Sequence, residues 1–196
     1  MASHMNNIAQ AYYRHSLRGP AAIFMRYWNA YGGFLALVKS PYLHVSVVLL
    51  IITSHYWLFS DWWEQPLSIV PNMLGFSLGG LAVFVGFSEK EFQAILATTK
   101  NDDKASVFLG VCSTYIHFII VQILALVAAI IAKAVSFPFH WPSGLASFVS
   151  WATALFGGAG YLLFLYAIAS MLAAAMSLFR VVSWYQAYHE KNQGKT

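Results

Sequence analysis

The sequence predicts an all-α membrane protein: four transmembrane helices, preceded by an N-terminal amphipathic helix in the membrane interface. Three observations carry that prediction. The 196-residue chain is 59% hydrophobic and 9% charged, whereas soluble domains carry about 25% charged residues. Apolar runs near 20 residues or longer recur along it, and each can cross a bilayer core about 30 Å thick. These runs do not alternate apolar with polar residues, as the strands of a lipid-facing barrel do.

Taken in order, residues 1–5 (Met-Ala-Ser-His-Met) read as an expression-tag remnant and stand outside the fold. Residues 6–40 form a cytoplasmic N-terminal segment. Its first part is polar and mixed, and Pro20 suits the first turn of a helix. Residues 21–39 are apolar but interrupted by Arg26, Asn29 and Lys39, with Gly32 and Gly33 between. Tyr27, Trp28, Tyr31 and Phe34 give this stretch an interfacial character. A short re-entrant or fifth buried helix is the alternative.

Residues 41–180 form the transmembrane domain. The first span, 44–60, holds no charge and closes in an aromatic belt of Tyr56, Trp57, Phe59, Trp62 and Trp63. The second, 71–87, starts at Pro71 and continues past the membrane as an amphipathic helix to Leu96. The third runs over 106–137. Its 32 residues would rise about 48 Å, so it must tilt, protrude or break. Lys133 near its end is placed to snorkel to the headgroups. The fourth, 145–179, is again uncharged, with Arg180, Trp184, Tyr185 and Tyr188 anchoring its end. Residues 181–196 form a cytoplasmic tail.

Charge asymmetry sets the orientation. With the N-terminus inside, Lys133 is the one basic residue on the outer side, while Arg14, Arg18, Arg26, Lys39, Lys90, Lys100, Lys104, Arg180, Lys191 and Lys195 lie inside. Both termini are therefore expected in the cytoplasm. The net charge of +4 is a topology signal, and no nucleic-acid partner is expected. Cys112 is the one cysteine, which excludes an intrachain disulfide and a cysteine-based metal cluster.

The candidate site residues begin in the second span. Asn72, Gly75, Gly79, Ala82 and Gly86 fall on one helical face at spacings of three and four. The opposite face is expected to carry Leu74, Leu78, Leu81, Val85 and Phe92. A bare face admits a second helix backbone, within the protomer or from another one, or it walls a pore. Gly157, Gly158 and Gly160 in the fourth span are expected to loosen that helix and mark a kink. Ala125, Ala129 and Ala132 share a face of the third span, as do Ala169, Ala173 and Ser177 of the fourth. Small-residue faces on three spans point to a homo-oligomer.

Within the spans, His117 and Gln122 are the polar residues costliest to leave unpaired in lipid. Interhelical hydrogen bonding answers that cost, and pH-dependent gating by His117 is the functional alternative. A haem site needs histidines at matching depth, which His55 and His117 do not provide. No span contains Asp or Glu, and there is no phosphate-binding Gly-Lys-Ser/Thr loop and no His-Glu-x-x-His. Gly75, Ser77 and Gly79 match the letters of a hydrolase elbow, but that motif needs a strand-to-helix turn with Asp and His partners. No enzyme activity, cofactor or metal is expected.

The sequence reading is thus a homo-oligomeric channel, pore or permeability effector of a bacterial inner membrane. Its alternative is a membrane-embedded sensor or anchor that recruits a cytoplasmic protein, with Glu89, Lys90, Gln93, Lys100 and Lys104 as the partner face. In outline, at about this length with four spans and inner termini, the chain is similar to small membrane components of bacterial anti-phage defence systems, such as the Kiwa membrane subunit. The resemblance implies a place in such a system.

Overall fold

A computed structural model describes the backbone of residues 19–87, 90–98, 106–136 and 143–193, and the side chains of the same residues except 87, 90–93, 143–147 and 191–193. Among the described residues the chain forms eight helices and no strand. They are α1 (Gly19–Tyr31), α2 (Gly33–Val38), α3 (Pro41–Ile52), α4 (Ser54–Phe59), α5 (Glu64–Phe87), α6 (Lys90–Ala97), α7 (Val107–Val135) and α8 (Ser143–Gln193). Three stretches, Glu64–Gly86, Val107–Val135 and Phe148–Glu190, are long and apolar enough to cross a membrane.

The surface has the composition of an interior. On α7, Ile123, Leu124, Val127, Ile130 and Ile131 face outward, and on α8 Leu155, Leu172 and Phe179 do. Patches of this extent are a liability in water and are expected where lipid is the solvent.

Helices α7 and α8 form the central pair. Against α7 pack α5, α1 and α6, and against α8 pack α3, α4 and α5. The inner stripe of α7 contains Phe118, Val121, Gln122, Ala125 and Ala129, all buried and three or four residues apart except for the adjacent pair. Ala125 and Ala129 are fully enclosed, so the stripe does pack, and it packs inside the protomer. The largest core cluster joins them to Trp62, Val70, Met73, Tyr161, Phe164 and Leu165.

Four boundaries differ from the sequence reading, each for a local reason. The expected first span is two short helices, α3 and α4, broken at Thr53 (φ −91°, ψ 13°). Thr53 Oγ1 donates to the Leu49 carbonyl at 2.7 Å. The Leu50 carbonyl, which a continuous helix would give to the Ser54 N–H, accepts from the Trp57 indole at 3.0 Å. The indole thus satisfies the freed Leu50 carbonyl without water.

The second difference is that α5 begins at Glu64, ahead of Pro71, which lies inside it. Pro66 falls in its first turn, where a missing N–H costs nothing, and Pro71 removes one further bond without ending the helix. Third, residues 21–39 are two helices. Gly32 (φ 106°) and Gly33 (φ 66°) take left-handed backbone that divides α1 from α2. The outward side of α1 is mixed, with Ile23, Phe24, Met25, Arg26 and Asn29 all exposed. Fourth, α8 passes the expected end at 179 and continues to Gln193. Its 51 residues rise about 77 Å, more than twice the hydrocarbon thickness.

Gly157, Gly158 and Gly160 do not interrupt α8, which runs through them as one helix. They form a notch filled by tryptophan. A Cβ on Gly160 would lie 2.5 Å from the Trp62 ring, and one on Gly158 would lie 3.1 Å from the Trp57 ring. Lys133 does not extend alone to the headgroups: its Nζ meets Glu64 Oε1 at 2.8 Å. Both side chains are more than half exposed, so the pair itself contributes little. It marks the start of α5 and the end of α7 as one end of the bundle.

The notch makes a sharp expectation. Gly160→Ala should destabilise the protein by about 1–3 kcal/mol through forced displacement of Trp62. Gly110→Ala, where a Cβ meets open space, should leave stability unchanged or raise it by up to about 1 kcal/mol. Thermal unfolding of the two variants in one detergent checks both, and equal midpoints would remove the notch as a constraint.

Candidate functional site

Asn72, Gly75, Gly79, Ala82 and Gly86 are all exposed on α5. Nothing lies within 4 Å of a Cβ built on Gly75, Gly79 or Gly86. The packed face of α5 is Val70, Met73, Ser77 and Phe84, which at 3.6 residues per turn is roughly half a turn from the stripe. No helix of the same protomer fills the stripe among the described residues. Phe76 and Val83 flank it on one side, Leu78 and Val85 on the other, all exposed, giving a shallow groove with apolar rims. This corrects the expected opposite face: Leu78 and Val85 belong to the rim rather than the core, while Met73 and Ser77, one residue before Leu74 and Leu78, point inward. Phe92 lies outside the described side chains.

His117 and Gln122 are both buried on α7, in separate networks. Tyr27 of α1 reaches His117 Nδ1 at 2.9 Å, and Tyr166 of α8 reaches His117 Nε2 at 3.1 Å. Tyr31 stacks on the imidazole with ring centroids 3.9 Å apart, and its hydroxyl lies 3.5 Å from that of Tyr166. Both ring nitrogens are occupied by phenols. A neutral imidazole donates from one nitrogen and accepts at the other, so it matches two tyrosines that play opposite roles. The network joins α1, α7 and α8 within the apolar layer.

Gln122 Nε2 donates to Ser77 Oγ at 2.9 Å and contacts Met171 Sδ at 3.6 Å. Ser77 Oγ in turn donates to Met171 Sδ at 3.7 Å. Ser77 therefore serves as a helix-packing hydroxyl in the middle of α5, facing a glutamine and a thioether. Gln122 Oε1 is buried without a partner. Near the Glu64 end, the Tyr161 hydroxyl donates to Gln65 Oε1 at 3.0 Å. Among the described residues, no three His, Cys, Asp or Glu side chains gather as a metal site.

Of the expected partner face, Glu89, Lys100 and Lys104 lie outside the described residues. Lys90 and Gln93 fall on α6 with side chains outside the description. Sequence reasoning took Tyr27 and Tyr31 as interfacial anchors and missed their pairing with His117. Their spacing of four places them on one face of α1, which was the available signal.

The fold and these sites define a helical membrane protein whose packing is completed by buried polar contacts. No protein-family model, characterised protein or solved structure matches the chain at a significant level of similarity.

Tyr27→Phe should strip His117 of one partner and cost about 1–3 kcal/mol. Because Tyr27 is the direct hydrogen bond from α1 to His117, the loss should appear as faster hydrogen exchange across residues 19–31, with α7 and α8 little changed. Unchanged exchange in α1 would show that the bond does not hold it down.

Proposed function

We propose that the chain is a bacterial inner-membrane protein that assembles as a homo-oligomer through the α5 stripe, forming or supporting a permeability path. The observation that carries this reading is the open face of Asn72, Gly75, Gly79, Ala82 and Gly86, turned away from the protomer's own core. Small residues let helix backbones approach closely and gain dispersion contacts where no hydrophobic force drives association. On a lipid-facing helix such a stripe does nothing for the monomer. In this reading α3 and α4 together make a first span beside α5, α7 and α8, α1 lies at the inner interface, and both termini are cytoplasmic.

Gly79→Leu tests the assembly. Wild-type protein in mild detergent should run as a multiple of the 21.8 kDa chain, and the variant should shift towards monomer, with loss of any ion or dye flux in liposomes. A variant that remains oligomeric with altered flux assigns the stripe to the wall of a path. Wild-type protein at monomer mass, with no flux, would sink the reading.

A second reading, a membrane anchor or sensor for a cytoplasmic protein, rests on a different observation. Past Arg180, α8 continues to Gln193, and Val181 buries against Phe84 and Leu96, with Tyr185 and Tyr188 packed on the cluster. This is a formed apolar platform at the end of the bundle opposite Glu64 and Lys133. The defence-system resemblance belongs with this reading. Cross-linking in native membranes should return one soluble protein with wild type and lose it with Leu96→Asp. Return of lipid and copies of the chain alone would remove it.

A further inference from the structure

The α2–α3 corner, α7 and α8 line a half-open cavity of ≈ 360 Å³, within the range of about 300–1,000 Å³ usual for small-molecule sites. It is built from different residues than the α5 stripe and stands independently of the assembly reading. Lys39 and Arg180 both line it, and no Asp or Glu does. Among the described residues, neither cation is ion-paired to a carboxylate.

A third electropositive element joins them. Ser40, Pro41 and Tyr42 also line the cavity, which sets the N-terminus of α3 in its wall. Pro41 brings no N–H, and the Leu43 and His44 amides turn back to the Ser40 carbonyl at 3.2 and 3.4 Å, so this N-terminus contributes the positive end of the helix dipole. The floor on α8 is Tyr166, Ser170, Ala173, Ser177 and Arg180, spaced alternately four and three residues apart along one face. Small side chains keep that floor low.

Hydroxyls narrow the choice of ligand. Ser170 donates to the Ala167 carbonyl, Ser177 to Ala173 and Thr114 to Gly110. Their protons are committed, so the charged donors at the cavity are the Lys39 ammonium and the Arg180 guanidinium. That pair selects an acceptor-rich anion, and a forked guanidinium and an ammonium on the wall of one cavity suit tetrahedral phosphate oxygens. Depth agrees, because Arg180 follows an uncharged run over 145–179, where an apolar span gives way to the headgroup layer.

We propose that this cavity is a binding site for a phosphate-bearing anion, held by Lys39 and Arg180 beside the positive end of α3. The phosphate comes from an anionic phospholipid headgroup or from a soluble phosphorylated molecule.

The test compares wild type with Lys39→Gln/Arg180→Gln, with the charge-keeping Lys39→Arg/Arg180→Lys, and with Lys133→Gln as a control at the Glu64 end. Phosphatidylglycerol and phosphatidylcholine retention is read by native mass spectrometry, and inorganic phosphate binding by thermal shift. For a lipid source, wild type should retain phosphatidylglycerol over phosphatidylcholine by about tenfold. The glutamine double variant should lose that preference, while the other two variants keep it. For a soluble source, phosphate should raise the melting temperature of wild type and not of the glutamine variant, with both lipids retained equally. The proposal is overturned if the glutamine variant matches wild type in both measurements, or if Lys133→Gln loses as much. Should the glutamine variant fail to fold, single Lys39→Gln and Arg180→Gln variants replace it under the same criteria.

Discussion

The fit of Trp57 and Trp62 into the glycine notch of α8 is the constraint on which most of the structure depends. A Cβ at Gly160 would lie 2.5 Å from the Trp62 ring, so the indole occupies space that only a missing side chain leaves. That contact fixes the turn between α4 and α5 against α8. Trp57, seated over Gly158, also caps the carbonyl freed by the break at Thr53. One pair of aromatic residues therefore allows the α3–α4 segment to bend and still lie on α8. It also sets where α5 starts, and hence which face of α5 meets α7 and which is left open.

Two sets of glycines consequently have opposite fates. Those of α8 are covered by rings from the same chain. Those of α5 at 75, 79 and 86 meet nothing. Gly80, beside the stripe in sequence, sits 3.5 Å by its virtual Cβ from the Tyr115 ring and belongs to the packed side. The distinction lies in what faces the helix, since the glycine content of the two segments is similar.

The buried polar groups obey the cost of desolvation in an apolar medium. His117 has both nitrogens matched by phenols, one from α1 and one from α8, and so draws a helix of the N-terminal segment onto the bundle. Gln122 ties α5 to α7 through Ser77, with one oxygen unmatched. The two networks sit on α7 five residues apart and share no hydrogen bond; both reach α8, at Tyr166 and Met171, but one adds α1 and the other α5. Beyond them, towards the Arg180 end, the bundle opens into a cavity lined by Lys39 and Arg180 and by no Asp or Glu.

The sequence by itself determined the helical class, the presence of apolar helices in the regions it placed at 71–87, 106–137 and 145–179 though not their ends, and the identity of the polar residues that needed partners. Composition and 3.6-residue periodicity report local preference and solvent, and these features depend on little else. Asn72, Gly75, Gly79, Ala82 and Gly86 were legible as one face, because a single helix defines it. Which of the small-residue faces was already filled was not legible: Ala125 and Ala129 pack inside, the α8 glycines hold tryptophans, and the α5 stripe stays open. The pairing of His117 with Tyr27 and Tyr166, and the placing of Lys39 and Arg180 on the wall of one cavity, also belong to tertiary structure alone. Periodicity places a residue on a face of its own helix, and the partner across the gap is chosen by how the helices pack.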